Sequence, residues 1–164
     1  MTSRLFLALW PDDTLRGELA AWRDGWCWPG KATPVRTERM HITLHFLGDI
    51  DDDRIGALAD AVDVPFAPFA LTLGRNALWP HGIAVLEPET VPAPLLALHG
   101  ALGQTLESFG VALDARAYRP HVTLARRAER GIAERDGPRI EWHVNGYALM
   151  QSEGGYRVLR DYPG

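Results

Sequence analysis

His41-Ile42-Thr43-Leu44-His45-Phe46-Leu47-Gly48 decides how this chain is read, because an altered copy returns later as His121-Val122-Thr123-Leu124-Ala125-Arg126. Both copies set His-x-Thr-Leu in a short apolar run rich in β-branched residues, which is the composition of a strand. Side chains alternate along a strand, so His41 and Thr43 leave one face while Ile42 and Leu44 leave the other. His121 and Thr123 stand against Val122 and Leu124 in the same way. Each segment buries an apolar face and presents an imidazole beside a hydroxyl on the opposite one. Laid side by side, two such strands bring two histidines and two threonines into one cleft.

The rest of the chain frames that pair. At 164 residues it is one domain's worth of sequence, and 46% hydrophobic with 23% charged residues is ordinary for a globular protein. The lone cysteine, Cys27, excludes an intrachain disulfide and a four-cysteine zinc site, and suits a reducing, cytoplasmic setting. The apolar run that ends at Trp10 is too short for a signal core and reads as a first strand, and no stretch reaches membrane-span length. A net charge of −4 argues against wrapping long nucleic acid over a broad basic surface. It leaves room for a local basic pocket that holds one or two phosphates.

Taken in order, the elements alternate. Arg4 to Trp10 is a strand, and Pro11-Asp12-Asp13 supplies a stop and an N-cap candidate for a helix carrying Leu15, Leu19 and Trp22 at helical spacing to about Arg23. The first motif strand ends at Gly48, and the acids Asp49 to Asp53 read as the N-terminus of a second helix carrying Ile55, Leu58 and Val62. Phe69 to Leu73, Ala77 to Trp79 and Gly82 to Leu86 read as three strands, the last two broken at Pro80-His81-Gly82. A third helix opens at Pro92 and stops at Gly110. Tyr118 to Arg126 is the second motif strand, Ile140 to Met150 a strand or strand pair with a bulge at Gly146, and Tyr156 to Leu159 a last short strand. This order predicts an α+β fold, mostly antiparallel sheet with helices packed outside.

The chemistry of the pair is specific. One imidazole can take a proton from water while the other delivers one to a departing oxygen, and the two hydroxyls can hydrogen-bond the oxygens between them. A phosphodiester is the substrate such a set fits, since its cleavage needs a base, an acid and donors to the non-bridging oxygens. On these residues the chain resembles the two-histidine phosphoesterase superfamily, in its branch of RNA 2′,3′-cyclic phosphodiesterases, also called 2′–5′ RNA ligases. Met40 to Gly48 and Arg119 to Arg126 are similar to that family's two motifs. Arg4 to Leu9, and Ser152, Gly155, Tyr156 and Leu159, are similar to its first and closing strands.

That resemblance implies a single domain over residues 1–164, built of two pseudo-symmetric lobes with the catalytic cleft between them. It implies metal-independent hydrolysis of terminal 2′,3′-cyclic phosphates to 2′-phosphates, with a reversible 2′–5′ ligation by the same site. His41 would be the proton donor and His121 the proton acceptor, with Thr43, Thr123 and Arg126 on the phosphate. The spacing of the residues alone leaves the two histidine roles interchangeable. No cofactor, no metal, no membrane and no obligatory protein partner are expected; the partner is an RNA end. The rival readings are a phosphodiesterase of 2′–5′ oligonucleotides or small cyclic nucleotides, and an RNA-end binding module without turnover.

Other residues carry narrower expectations. Strict alternation sends Arg126 to the face opposite His121 and gives Arg127 the right parity; strand ends twist and bulge, so Arg126, where the resemblance puts the phosphate contact, is taken first and Arg127 is the alternative. His45 shares the face of His41 by parity and is expected at the cleft rim. A metal between His41 and His45 is disfavoured, since strand spacing sets them about 13 Å apart. His81, His99 and His143 lack a threonine partner and read as loop, helix stripe and strand surface. Trp10, Trp28, Trp79 and Tyr118 include candidates for stacking on a base.

Overall fold

A computed structural model describes residues 1–133 and 138–163. The elements are β1 (Thr2–Leu9), α1 (Asp13–Asp24), β2 (Trp26–Cys27), β3 (Thr33–Pro34), β4 (Ile42–Asp51), α2 (Ile55–Ala61), β5 (Phe69–Trp79) and β6 (Ile83–Pro88). Then follow α3 (Ala93–Ser108), β7 (Val122–Arg126), β8 (Ile132–Ala133), β9 (Ile140–Val144), β10 (Gly146–Ser152) and β11 (Tyr156–Pro163). One sheet runs β11-β10-β1-β4-β7-β6-β5-β9, with β3 beside β7, while β2 and β8 pair separately. Every pairing in it is antiparallel. The fold is α+β and two-lobed: β4 and β7 meet at the centre, each with three further strands beyond it.

Local chemistry explains the element ends. The Asp12 carboxylate accepts from the Leu15 amide at 2.8 Å and caps α1. Pro92 sits just ahead of α3, and Gly110 takes φ +90° just past its end. His81 and Gly82 both have positive φ, which forms the tight reversal between β5 and β6. Each long helix crosses to the other lobe: α1 leaves β1 and packs on β9, and α3 leaves β6 and packs on β4. Their apolar stripes, Leu15, Leu19 and Trp22 with Leu95, Leu98, Leu102 and Leu106, join one core that covers a single face of the sheet. On the opposite face Phe6, Ala8, Ala148 and Met150 form a smaller cluster backed by Trp10. The cleft lies on that helix-free face.

Two expected elements come out differently, and Ile140 to Met150 is two strands with a junction in place of the bulge, each for a physical reason. Phe69 to Trp79 is one strand, not two, with a register shift between Leu73 and Arg75. Gly74 sits at that irregularity, and a Cβ there would fall 2.2 Å from Arg139 Cδ, so the missing side chain makes way for the arginine. The acids Asp49 and Asp51 extend β4, and Asp52 opens a 3₁₀ turn ahead of α2, where it accepts from the Ser3 hydroxyl at 2.6 Å. The segment around Gly146 is a junction between two strands at opposite ends of the sheet, β9 beside β5 and β10 beside β1. A Cβ on Gly146 would meet the Tyr162 carbonyl at 2.7 Å, so glycine is required by the close approach of β11.

Candidate active site

Both histidines sit one residue ahead of a central strand, His41 before β4 and His121 before β7. Their rings are held alike. His41 Nδ1 donates to the Arg39 carbonyl at 2.7 Å, and His121 Nδ1 donates to the Arg119 carbonyl at 2.8 Å. A carbonyl only accepts, so each neutral imidazole carries its proton on Nδ1 and offers the Nε2 lone pair to the cleft. At His41 that lone pair accepts from the Thr43 hydroxyl at 3.0 Å.

Aromatic rings fix both imidazoles from the side. Trp10 stacks on His41 with centroids 5.7 Å apart, and Trp79 tilts against His121 at 4.2 Å. An arginine lies over each tryptophan, Arg16 over Trp10 and Arg119 over Trp79, both at 4.6 Å. Arg16 is buried and spends its guanidinium on the carbonyls of Pro11, Thr37 and Met40. Arg119 pairs with the buried carboxylate of Glu87 through two bonds, at 2.8 and 3.1 Å. The His41 side adds Phe6, Tyr156 and Phe46, the last 73% exposed.

The electrostatics push both imidazoles toward the neutral form. Burial lowers His41 to about 4, with the charges of Arg16, His121 and Arg126 adding to it against the bond to Arg39. Burial also lowers His121; Arg119 and Arg126 add to the depression, while the Arg119 carbonyl and the Glu87 carboxylate oppose it. One cation, Arg126, therefore acts on both rings.

The position of Arg126 follows from a pair of matched irregularities. Along β4, His45 pairs with Leu7 but Thr43 with Ala8, so Leu44 is the extra residue of a bulge. Along β7, Ala125 pairs with Ala84 but Thr123 with Val85, so Leu124 is the extra residue of an equivalent bulge. Each bulge flips the alternation just after His-x-Thr. Arg126 is thereby returned to the face of His121 and Thr123, while Arg127 takes φ +51° beyond the strand end. The same shift corrects the expectation for His45. Only 9% exposed, it lies on the helix side, where its Nε2–H donates to the His99 carbonyl at 2.8 Å. Phe46 takes the cleft position instead, as the counterpart of Arg126.

Among the aromatic candidates, Trp10 and Trp79 flank the histidines, whereas Trp28 stacks on Trp26 near the short β2–β8 pair. Tyr118 is drawn inward, its hydroxyl donating to the Thr43 carbonyl at 2.8 Å. His81 lies in the β5–β6 turn, and His143 is exposed on β9. Period-two reasoning misses Phe46 as a cleft residue and His45 as a core residue. The two motifs aligned on each other hold the only signal, since they set Phe46 against Arg126.

The profile of the 2′-5′ RNA ligase superfamily matches residues 11–155. The RNA 2′,3′-cyclic phosphodiesterase of Escherichia coli (strain K12) is 29% identical over 133 residues, which cover 79% of this chain and 74% of that protein. The protein of the same name from Thermus thermophilus is 28% identical over 170 aligned positions, covering 92% of this chain and 82% of its own. A crystal structure of E. coli LigT complexed with NADP+ superposes with a TM-score of 0.86 at 25% identity, covering 99% of this chain and 97% of that one.

Proposed function

The chain belongs to the 2′-5′ RNA ligase superfamily, and on that footing we propose that it is an RNA 2′,3′-cyclic phosphodiesterase acting as a single two-lobed unit. The observation that carries the reading is the matched tethering of both histidines, each Nδ1 spent on a carbonyl and each Nε2 turned to the cleft, where that of His41 accepts from the Thr43 hydroxyl. Water attacks the phosphorus of a terminal cyclic phosphate. His121 Nε2 accepts the water proton, and His41 Nε2–H protonates O3′ as the P–O3′ bond breaks, leaving the phosphate on O2′. The charge that builds on the non-bridging oxygens is met by the Thr43 and Thr123 hydroxyls and by the Arg126 guanidinium. No step in this sequence calls on a metal. When a 5′-hydroxyl RNA end takes the place of water, His121 accepts its proton and His41 protonates the departing O3′, which forms a 2′–5′ linkage. Run backwards with the two roles exchanged, the same step cleaves that linkage to the cyclic phosphate by microscopic reversibility. The proposal is tested by incubating a short RNA that ends in a 2′,3′-cyclic phosphate with the protein. Opening of the ring supports it, and binding without turnover makes the chain an RNA-end binding module.

The direction of the histidine shifts fixes the pH dependence. Catalysis needs one imidazole neutral and the other protonated, so kcat/KM is expected to be bell-shaped, with limbs belonging to the coupled pair. Both imidazoles lie below the ordinary 6.5 in the free protein, His41 at about 4. The maximum of kcat/KM is therefore expected on the acidic side of pH 6.5. A bound phosphodiester anion favours the charged imidazoles, so the kcat profile should sit at higher pH than that of kcat/KM. Rates measured across pH 4 to 9 check this, and a steady rise through pH 9 contradicts the two-histidine mechanism.

A further inference from the structure

The seam between the lobes is short at the point where the chemistry depends on it. Strands β4 and β7 share one register pair, Ile42 with Val122. The relative position of the two His-x-Thr faces is thus underdetermined by the ladder, and a second tie crosses the seam. Tyr118, three residues ahead of His121, donates its hydroxyl to the carbonyl of Thr43 at 2.8 Å. Burial holds the phenol well above its ordinary range, so it remains an O–H donor at every working pH.

The ring of Tyr118 is itself held. It stacks on His99 of α3 at 3.8 Å with an 11° tilt, and His99 stacks on His45 at 4.0 Å with an 18° tilt. His45 in turn donates to the His99 carbonyl at 2.8 Å. A column of three rings therefore runs from Tyr118 through His99 of α3 to His45 of β4, and the bulged stretch from Thr43 to His45 is fixed at both ends. Tyr118 grips the Thr43 carbonyl, and α3 grips His45.

Resting on the function proposed above, we infer that Tyr118 is a positioning residue: its bond to the Thr43 carbonyl sets where the Thr43 hydroxyl stands relative to His41 and to the opposite His-x-Thr strand. Tyr118 touches no reacting atom. It acts through the Thr43 peptide, and the three-ring column keeps its hydroxyl aimed there. A hydroxyl displaced by a few tenths of an ångström still binds substrate but meets the transition-state oxygen poorly, so the loss falls on kcat.

Tyr118→Phe removes the bond while preserving the ring and the stack. It is expected to lower kcat about tenfold, the value of one hydrogen bond, with KM within about twofold of the parent. In a Thr43→Val background the same change is expected to cost nothing further, since the hydroxyl it positions is gone. A readout independent of turnover is the ¹⁵N resonance of His41 Nε2, which reports the 3.0 Å bond from the Thr43 hydroxyl. That resonance should move in Tyr118→Phe. An unchanged kcat, a full penalty persisting in the Thr43→Val background, or an unmoved His41 resonance each overturns the inference. A variant that melts far below the parent yet keeps its kcat and its His41 resonance makes Tyr118 a stability residue, and overturns it too. Failure of the parent to open a cyclic phosphate sinks the functional reading alone, because the His41 resonance still decides the role of Tyr118.

Discussion

His41→Ala and His121→Ala are each expected to lower kcat by about 10²–10⁴, the usual value of one positioned acid or base. Neither side chain is at the centre of the core: both are half-buried, at the edge where β4 and β7 begin. The variants should therefore fold, with His41→Ala losing somewhat more packing because its ring lies against both Phe6 and Trp10. The double variant should lose little beyond the worse single one, since an acid without its base leaves only binding and the oxyanion contacts. Steady-state rates on a cyclic-phosphate RNA, paired with thermal melts, check this. Full activity with a large drop in melting temperature would mark the two as packing histidines.

The next largest effect is expected at Arg126. Arg126→Ala should cost about 10²–10³ in kcat, the range for removing one donor to a developing oxyanion. It should also move the pH profile. The guanidinium depresses both imidazoles, so its removal raises both, and the limbs of kcat/KM shift to higher pH. Arg126→Lys should recover part of the rate, because it keeps the charge and loses the planar fork. Arg127→Ala should stay within about twofold of the parent, since Arg127 lies past the bulge at φ +51°. A profile that stays put in Arg126→Ala, or a large loss in Arg127→Ala, would reverse the assignment of the phosphate contact.

Much of the fold was legible because it rests on short-range rules. The period-two pattern around His41 and His121, the cap signal in Pro11-Asp12-Asp13 and the Pro92 and Gly110 punctuation each act within a few residues, and the elements they announce are present. What could not be read depends on partners distant in sequence. The bulges at Leu44 and Leu124 are set by how β1 and β6 register against β4 and β7. No alternation within the motifs reveals them, yet they decide that His45 goes inward and that Arg126 faces the cleft. Gly146 reads locally as a bulge, and Gly74 falls unremarked between two expected strands; the reasons for both glycines, Arg139 for Gly74 and the β11 backbone for Gly146, lie outside their own segments. Tyr118 reads as no more than one of several aromatic candidates for base stacking, because its acceptor, the Thr43 carbonyl, belongs to the other lobe.

In the proposed reaction two tethered imidazoles open a cyclic phosphate, and His41 protonates one particular oxygen, O3′. The most direct measurement is ³¹P NMR of the product from an RNA ending in a 2′,3′-cyclic phosphate. A single monoester resonance with the phosphate on O2′ is expected, formed about 10²–10⁴ times more slowly when His41 or His121 is replaced by Ala. A 3′-phosphate product, a mixture of the two, or an intact ring would contradict it.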